Sequence, residues 1–181
     1  MRSLDCDVVC TIFANWAHCS RVPNSFQVLN ACAFSDVFQD EHGNLIKASQ
    51  NRQRRAFHIA ELAMNRIRTE PYPQVLPNPV IYGTFIKCCG RLDLSEDVKV
   101  TSAISAFEDC CRAGLVSDFV LTQFRCALSA EKFVHELVRN GYKNVDSKGK
   151  SLSRDGKRVR HIGVSELPKS WTRNVELNVR Q

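Results

Sequence analysis

Residues 78–114 read NPVIYGTFIKCCGRLDLSEDVKVTSAISAFEDCCRAG, and this stretch decides the fold. In its second half Val100, Ala103, Ile104, Phe107, Cys110 and Cys111 recur at the spacing of one buried helix face. Ser95 stands where an N-cap is wanted. Glu96 and Asp97 suit the positive end of the helix dipole, and Gly114 is a natural C-terminal stop. In the first half, Asn78 precedes Pro79: a capping side chain, then a proline in the first turn, where its missing N–H costs nothing. Tyr82, Phe85, Ile86 and Cys89 then share a face, and Gly90 lies near the end. The stretch therefore predicts two helices joined by a short loop.

The same period extends outward in both directions. Val9, Ile12, Phe13 and Trp16 predict a first helix, capped by Asp7 and stopped by Pro23. Phe26, Leu29, Cys32 and Ala33 predict a second. Ala56, Ile59, Ala60, Ala63 and Ile67 mark a third over about 51–68, ended by Pro71 and Pro73. Beyond Gly114, Val120, Leu121, Phe124 and Leu128 follow a start at Ser117-Asp118. Phe133, Val134, Leu137 and Val138 follow a start at Ser129, with Gly141 as the stop. Between the second and third helices, 35–50 reads as a polar insertion with a turn at His42-Gly43-Asn44. No run reads as a strong strand; 159–164 and 175–179 are only weakly strand-like. Short paired helices of this kind cannot each bury a stripe alone and must stack on neighbours. The expected fold is all-α, an α-solenoid of antiparallel helix pairs. It comprises a helical-repeat domain over 1–141, with units near 7–34, 51–114 and 115–141. A basic, poorly ordered C-terminal tail follows over 142–181, mobile or laid along the last helices through Leu167 and Trp171.

Composition bounds the function. The chain has 181 residues, 44% hydrophobic and 24% charged, with a net charge of +6. That is ordinary for a folded domain and permits an anionic partner without demanding one. No run of about 18 apolar residues suggests a membrane span. The apolar stretch from Val8 to Ala17 follows Asp5 and Asp7, where a signal peptide wants positive charge. No transit peptide is legible either. The nine cysteines are odd in number and show no C-x-x-C spacing. Most fall on apolar helix faces, which predicts buried reduced thiols and a reducing intracellular compartment. The five histidines are scattered, with neither H-x-x-x-H nor H-E-x-x-H spacing. No phosphate loop and no G-x-S-x-G element occurs. The expectation is a protein without metal or cofactor that is not an enzyme.

An internal repeat points further. The stretch 78–89 is echoed at 23–33, at 11–17 and again at 120–124, where Leu121 falls 39 residues after Tyr82. The stretch 78–89 resembles the first helix of a pentatricopeptide repeat (PPR), and 95–114 resembles the second. Residues 114–118 resemble the loop that closes one repeat and opens the next. The likeness covers roughly 7–140, and 166–175 resembles a C-terminal segment of some microalgal proteins of this kind.

That resemblance implies an α-solenoid binding single-stranded RNA, with a role in RNA processing or stability in mitochondria or plastids and one base against each repeat. On the best repeat it implies base-edge reading by Gly83 and Asp118, with Val80 packing on the base. In the preceding repeat it implies Phe26 and Asn78. The chain departs from the pattern: Gly83 and Phe26 cannot hydrogen-bond a base edge. The spacing from Ser25 to Tyr82 also exceeds the usual repeat of about 35 residues, and the first two helices leave no room for one between them: either they pair with each other or an internal piece is missing.

Other charged groups have two readings. Arg52, Arg54 and Arg55 open the third helix, where cations oppose the dipole; an anionic partner or a frayed, solvated start explains them. The basic run 148–160 either holds phosphates or is simply solvated. Trp16 and Tyr82 are placed in the core by their helical positions, ahead of any stacking role. Asn30, Asn78, Lys87, Arg91 and Asp118 lean the groove toward RNA. The alternatives are a peptide-binding scaffold of tetratricopeptide type and a truncated repeat protein without independent activity.

Overall fold

The computed structural model describes residues 25–69, 76–143 and 162–175. The expected helix near Trp16 and the basic run 148–160 lie outside them. Among the described residues the chain forms seven α-helices and one small hairpin. In order these are α1 (Ser25–Ala33), β1 (Val37–Gln39), β2 (Leu45–Lys47), α2 (Gln50–Thr69), α3 (Pro79–Arg91), α4 (Glu96–Ala113), α5 (Asp118–Ala127), α6 (Ala130–Arg139) and α7 (Lys169–Thr172). A 3-10 turn, Val164–Glu166, precedes α7.

The helix starts follow local chemistry. Asn78 Oδ1 accepts the Ile81 N–H at 2.9 Å, so one orphan donor of α3 is satisfied by its cap. Ser117 and Ser129 do the same for Val120 and Lys132, each at 3.3 Å. Ser95 holds the cap position of α4 but makes no side-chain cap bond. Gly114 closes α4 at φ 71°, a left-handed conformation that glycine adopts without a Cβ penalty.

Helix α3 is the centre of the fold, packed against α1, α2, α4 and α5. Its residues Ile81 to Ile86, then Cys88 and Cys89, are all buried, as expected for a helix enclosed on nearly every side. Gly90 allows close approach to α5: a Cβ there would lie 3.2 Å from Ala127 Cα. Next to it, Phe107 of α4 stacks on Phe124 of α5, with centroids 4.0 Å apart and rings 3° from parallel. Phe133 of α6 and Trp171 of α7 complete this aromatic cluster.

Two expectations are corrected. The insertion at 35–50, where no strand was expected, keeps its turn at His42-Gly43-Asn44 but sets it in an antiparallel hairpin in which Val37 pairs with Lys47 and Gln39 with Leu45. Its turn is organised by Asp40, which accepts the backbone N–H groups of His42 and Asn44, and Gly43 takes φ 81°. The hairpin is tied to the end of α3. Asp36 pairs with Arg91, Lys47 with Asp93, and buried Gln53 bridges the Ala48 carbonyl and the Asp93 N–H. An isolated three-residue hairpin is marginal in water; these contacts supply what the strands lack. Strands of three residues, Val37–Gln39 and Leu45–Lys47, are too short for an alternating pattern to show in the sequence.

The C-terminal boundary also moves. Tyr142, Ile162, Leu167 and Trp171 are buried in the same core as the helices. Residues 162–175 pack through Leu167 and Trp171, the two residues expected to lay the tail on the helices, and the helix they meet is α4. Trp171 meets Phe107 edge-on at 5.9 Å, and its carbonyl accepts the Val116 N–H. Asn174 donates from its backbone to the Gly114 carbonyl and from its side chain to that of Ala113. Two otherwise orphaned carbonyls at the end of α4 are thereby satisfied.

Candidate functional site

Val80, Gly83, Lys87 and Arg91 fall on one stripe of α3, because steps of three or four residues return to the same helix face. Val80 is 45% exposed, Lys87 is half-buried and Arg91 is exposed. This stripe meets α1 and α5, so residues from three helices gather on it.

From the α1 side comes Phe34, one residue past the helix end and 44% exposed. The Lys87 Nζ lies 3.9 Å from its ring centroid and the Arg91 Cζ 4.8 Å. Both cations are held by the negative face of the ring. Arg91 also donates from one nitrogen to both carboxylate oxygens of Asp36, at 3.0 and 2.8 Å, so its charge is largely matched. Asn30 is half-buried on α1.

From the α5 side comes Phe119, 39% exposed. Its ring lies directly against Gly83: a Cβ at Gly83 would sit 2.4 Å from Phe119 Cδ1 and Cε1. Gly83 is therefore buried under an aromatic ring and presents no side chain to a ligand. Asp118 is exposed in the first turn of α5, where its charge suits the helix N-terminus. The side-chain oxygen of Asn78 is engaged in capping α3.

Of the positions singled out from sequence, Val80, Lys87 and Arg91 thus share a face of α3, and Asn30 lies on α1. Gly83 lies at that face but beneath Phe119. Asn78 and Asp118 serve helix starts. Phe26 has no described side chain. Sequence reasoning missed both Phe34 and Phe119, although each left a signal. Phe119 falls outside the stripe of Val120, Leu121 and Phe124, and Phe34 outside that of Leu29, Cys32 and Ala33. A large apolar residue off the buried stripe has no core to enter.

Burial sets the state of one phenol and several thiols. Tyr82 is buried, and desolvation, with Asp109 adding to it, pushes its phenol up to about 12. Cys32, Cys88, Cys89, Cys110 and Cys111 are buried thiols, and Cys126 is exposed. Burial pushes Cys89 and Cys111 up to about 12, and Cys88 and Cys110 are also raised. A thiol held protonated is a poor nucleophile and a poor metal ligand. Among the described residues no group of three or more His, Cys, Asp or Glu is placed to hold a metal ion. No described helix is long and apolar enough to cross a membrane. Arg54 and Arg55 are exposed at the start of α2, and Arg52 lies over the Phe38 ring at 4.9 Å. In comparisons with known proteins, no family model, no curated protein and no solved structure matches this chain.

Proposed function

We propose that this chain is a short α-solenoid of pentatricopeptide type that binds single-stranded RNA on the face shared by α1, α3 and α5. The carrying observation is that this face sets two exposed phenyl rings, Phe34 and Phe119, on either flank of a stripe bearing Val80, Lys87 and Arg91. Exposed rings beside cations suit unpaired bases, whose π faces are free to stack; duplex hides those faces. Supporting the solenoid reading is the packing of α1, α3 and α5 in succession, each with a following helix behind it. Action in organellar RNA processing or stability is what the family resemblance adds.

The test is binding of purified protein to labelled unstructured RNA, with duplex RNA as control, at low and high salt. Binding that prefers single strands is the expected result. Absence of binding even at low salt overturns the reading, and moves the groove to a peptide partner anchored by Val80, Phe34 and Phe119.

A further inference from the structure

We infer that the end of α4 and the loop after it form a recognition groove for one linear peptide, the segment 162–175, and that the groove accepts this segment from a second copy of the chain as well as from its own. Two copies that exchange their segments then form a dimer.

The segment is held in the manner of a bound peptide. Trp171 is its anchor: it is buried, and its ring meets Phe107 edge-on at 5.9 Å. Its carbonyl accepts the Val116 N–H at 2.8 Å. Three residues on, Asn174 donates its backbone N–H to the Gly114 carbonyl at 2.9 Å and its side-chain amide to the Ala113 carbonyl at 2.8 Å. Between them, Arg173 donates to the Arg112 carbonyl at 3.4 Å. All of these partners fall between Phe107 and Val116, so the groove is one local surface. In peptide recognition, main-chain hydrogen bonds supply affinity and a pocket for one large side chain supplies specificity. Both are present here.

The groove is also shaped for its occupant. Val116 is buried, and a buried backbone N–H is costly to leave unpaired. The acceptor it is given is the Trp171 carbonyl. Gly114 leaves the room in which the segment passes: a Cβ there would lie 2.7 Å from Arg173 Cγ and 3.1 Å from the Ser170 carbonyl oxygen. The same glycine therefore closes α4 and opens the groove.

The occupant is free to come from a second copy because of how it is attached. In the chain the segment is joined to α6 through 144–161, and a connection of that length reaches up to about 60 Å when extended. That is about twice the diameter of a small domain. Every copy carries both groove and segment, so an exchanged pair makes the same contacts as a closed monomer. What separates the two states is the tether, which offers a chain its own segment at an effective concentration on the order of mM. Wild type is thus monomeric in dilute solution, and exchange emerges when a chain's own segment is weakened.

The experiment mixes two full-length variants. Trp171→Ala keeps the groove and removes the anchor of the segment. Gly114→Asn keeps the segment and blocks the groove: Asn tolerates the left-handed cap at φ 71° but sets a side chain against Ser170 and Arg173. Because Trp171→Ala also opens the core, Asn174→Ala is run beside it as a second weakened segment, and circular dichroism identifies the variants that fold. In sedimentation velocity well below mM, each variant alone is expected to be monomeric. The mixture is expected to give a one-to-one dimer, and wild type at least about tenfold less dimer at the same concentration. Excess synthetic peptide 162–175 dissolves that dimer, whereas the peptide carrying Trp171→Ala does not. A mixture of folded variants that stays monomeric overturns the inference. So does a dimer that survives the peptide, because it is formed by some other surface.

Discussion

At the scale of single residues, burial decides what each chemically capable group does. Cys89 and Cys111 have an ordinary thiol value of 9.0 and are raised to about 12, first by desolvation and then by Glu61 and Glu108 respectively. The folded state holds their protons more tightly than the unfolded chain. Their stabilising contribution is therefore complete below about pH 9 and is lost as pH rises from there toward 12. Urea unfolding followed between pH 7 and pH 10 is expected to show a midpoint that holds steady and then falls above pH 9. A constant midpoint up to pH 10 would show that these thiols are hydrated. The same burial makes Cys126 the described cysteine that reacts first with a thiol reagent in the native protein. Peptide mapping after brief labelling is expected to find Cys126 modified, and Cys88, Cys89 and Cys110 modified only in denaturant.

At the scale of elements, four serines and one asparagine precede helices, but they do not contribute equally. Asn78, Ser117 and Ser129 each accept a backbone N–H, whereas Ser95 does not. Replacing Asn78 or Ser117 with Ala is expected to cost about 1 kcal/mol of unfolding free energy. Ser95→Ala should cost only a few tenths of that, because α4 is left to Glu96, Asp97 and its packed face. Chemical denaturation of the three variants separates these values. An equal loss at Ser95 would mean that its hydroxyl caps the helix in solution. The hairpin of β1 and β2 illustrates the opposite dependence. Its strands are too short to stand alone, and Arg91, Asp93 and Gln53, far along the chain, hold it in place.

At the scale of the whole molecule, the segment 162–175 joins the C-terminal part of the chain to the helical core. Trp171 is 5% exposed and packs on Phe107, which itself stacks on Phe124. Trp171→Ala removes one wall of this cluster and leaves the space beside Phe107 unfilled. Loss of a large buried aromatic costs about 3–5 kcal/mol. The helices are therefore expected to melt earlier in this variant when followed by far-UV circular dichroism. Helices that unfold at the wild-type midpoint would show that 162–175 is an appendage to a core complete without it.

The sequence by itself determined the helices and much of their burial. Apolar residues at a period of 3.6, with Asn78-Pro79, Ser117, Ser129 and Gly114 at the ends, are local signals, and local signals are written in consecutive residues. It singled out Val80, Lys87 and Arg91 one by one, and their spacing puts them on one face of the helix. What only the tertiary structure decided depends on which distant residues meet. The hairpin needed Asp93 and Arg91 to hold it, and Trp171 needed Phe107. Gly83, read from sequence as a position lacking a reading group, proved to be the seat of Phe119, a residue 36 positions later. Helix periodicity says which residues face a neighbour but carries no term for which neighbour, and long-range packing settles that choice.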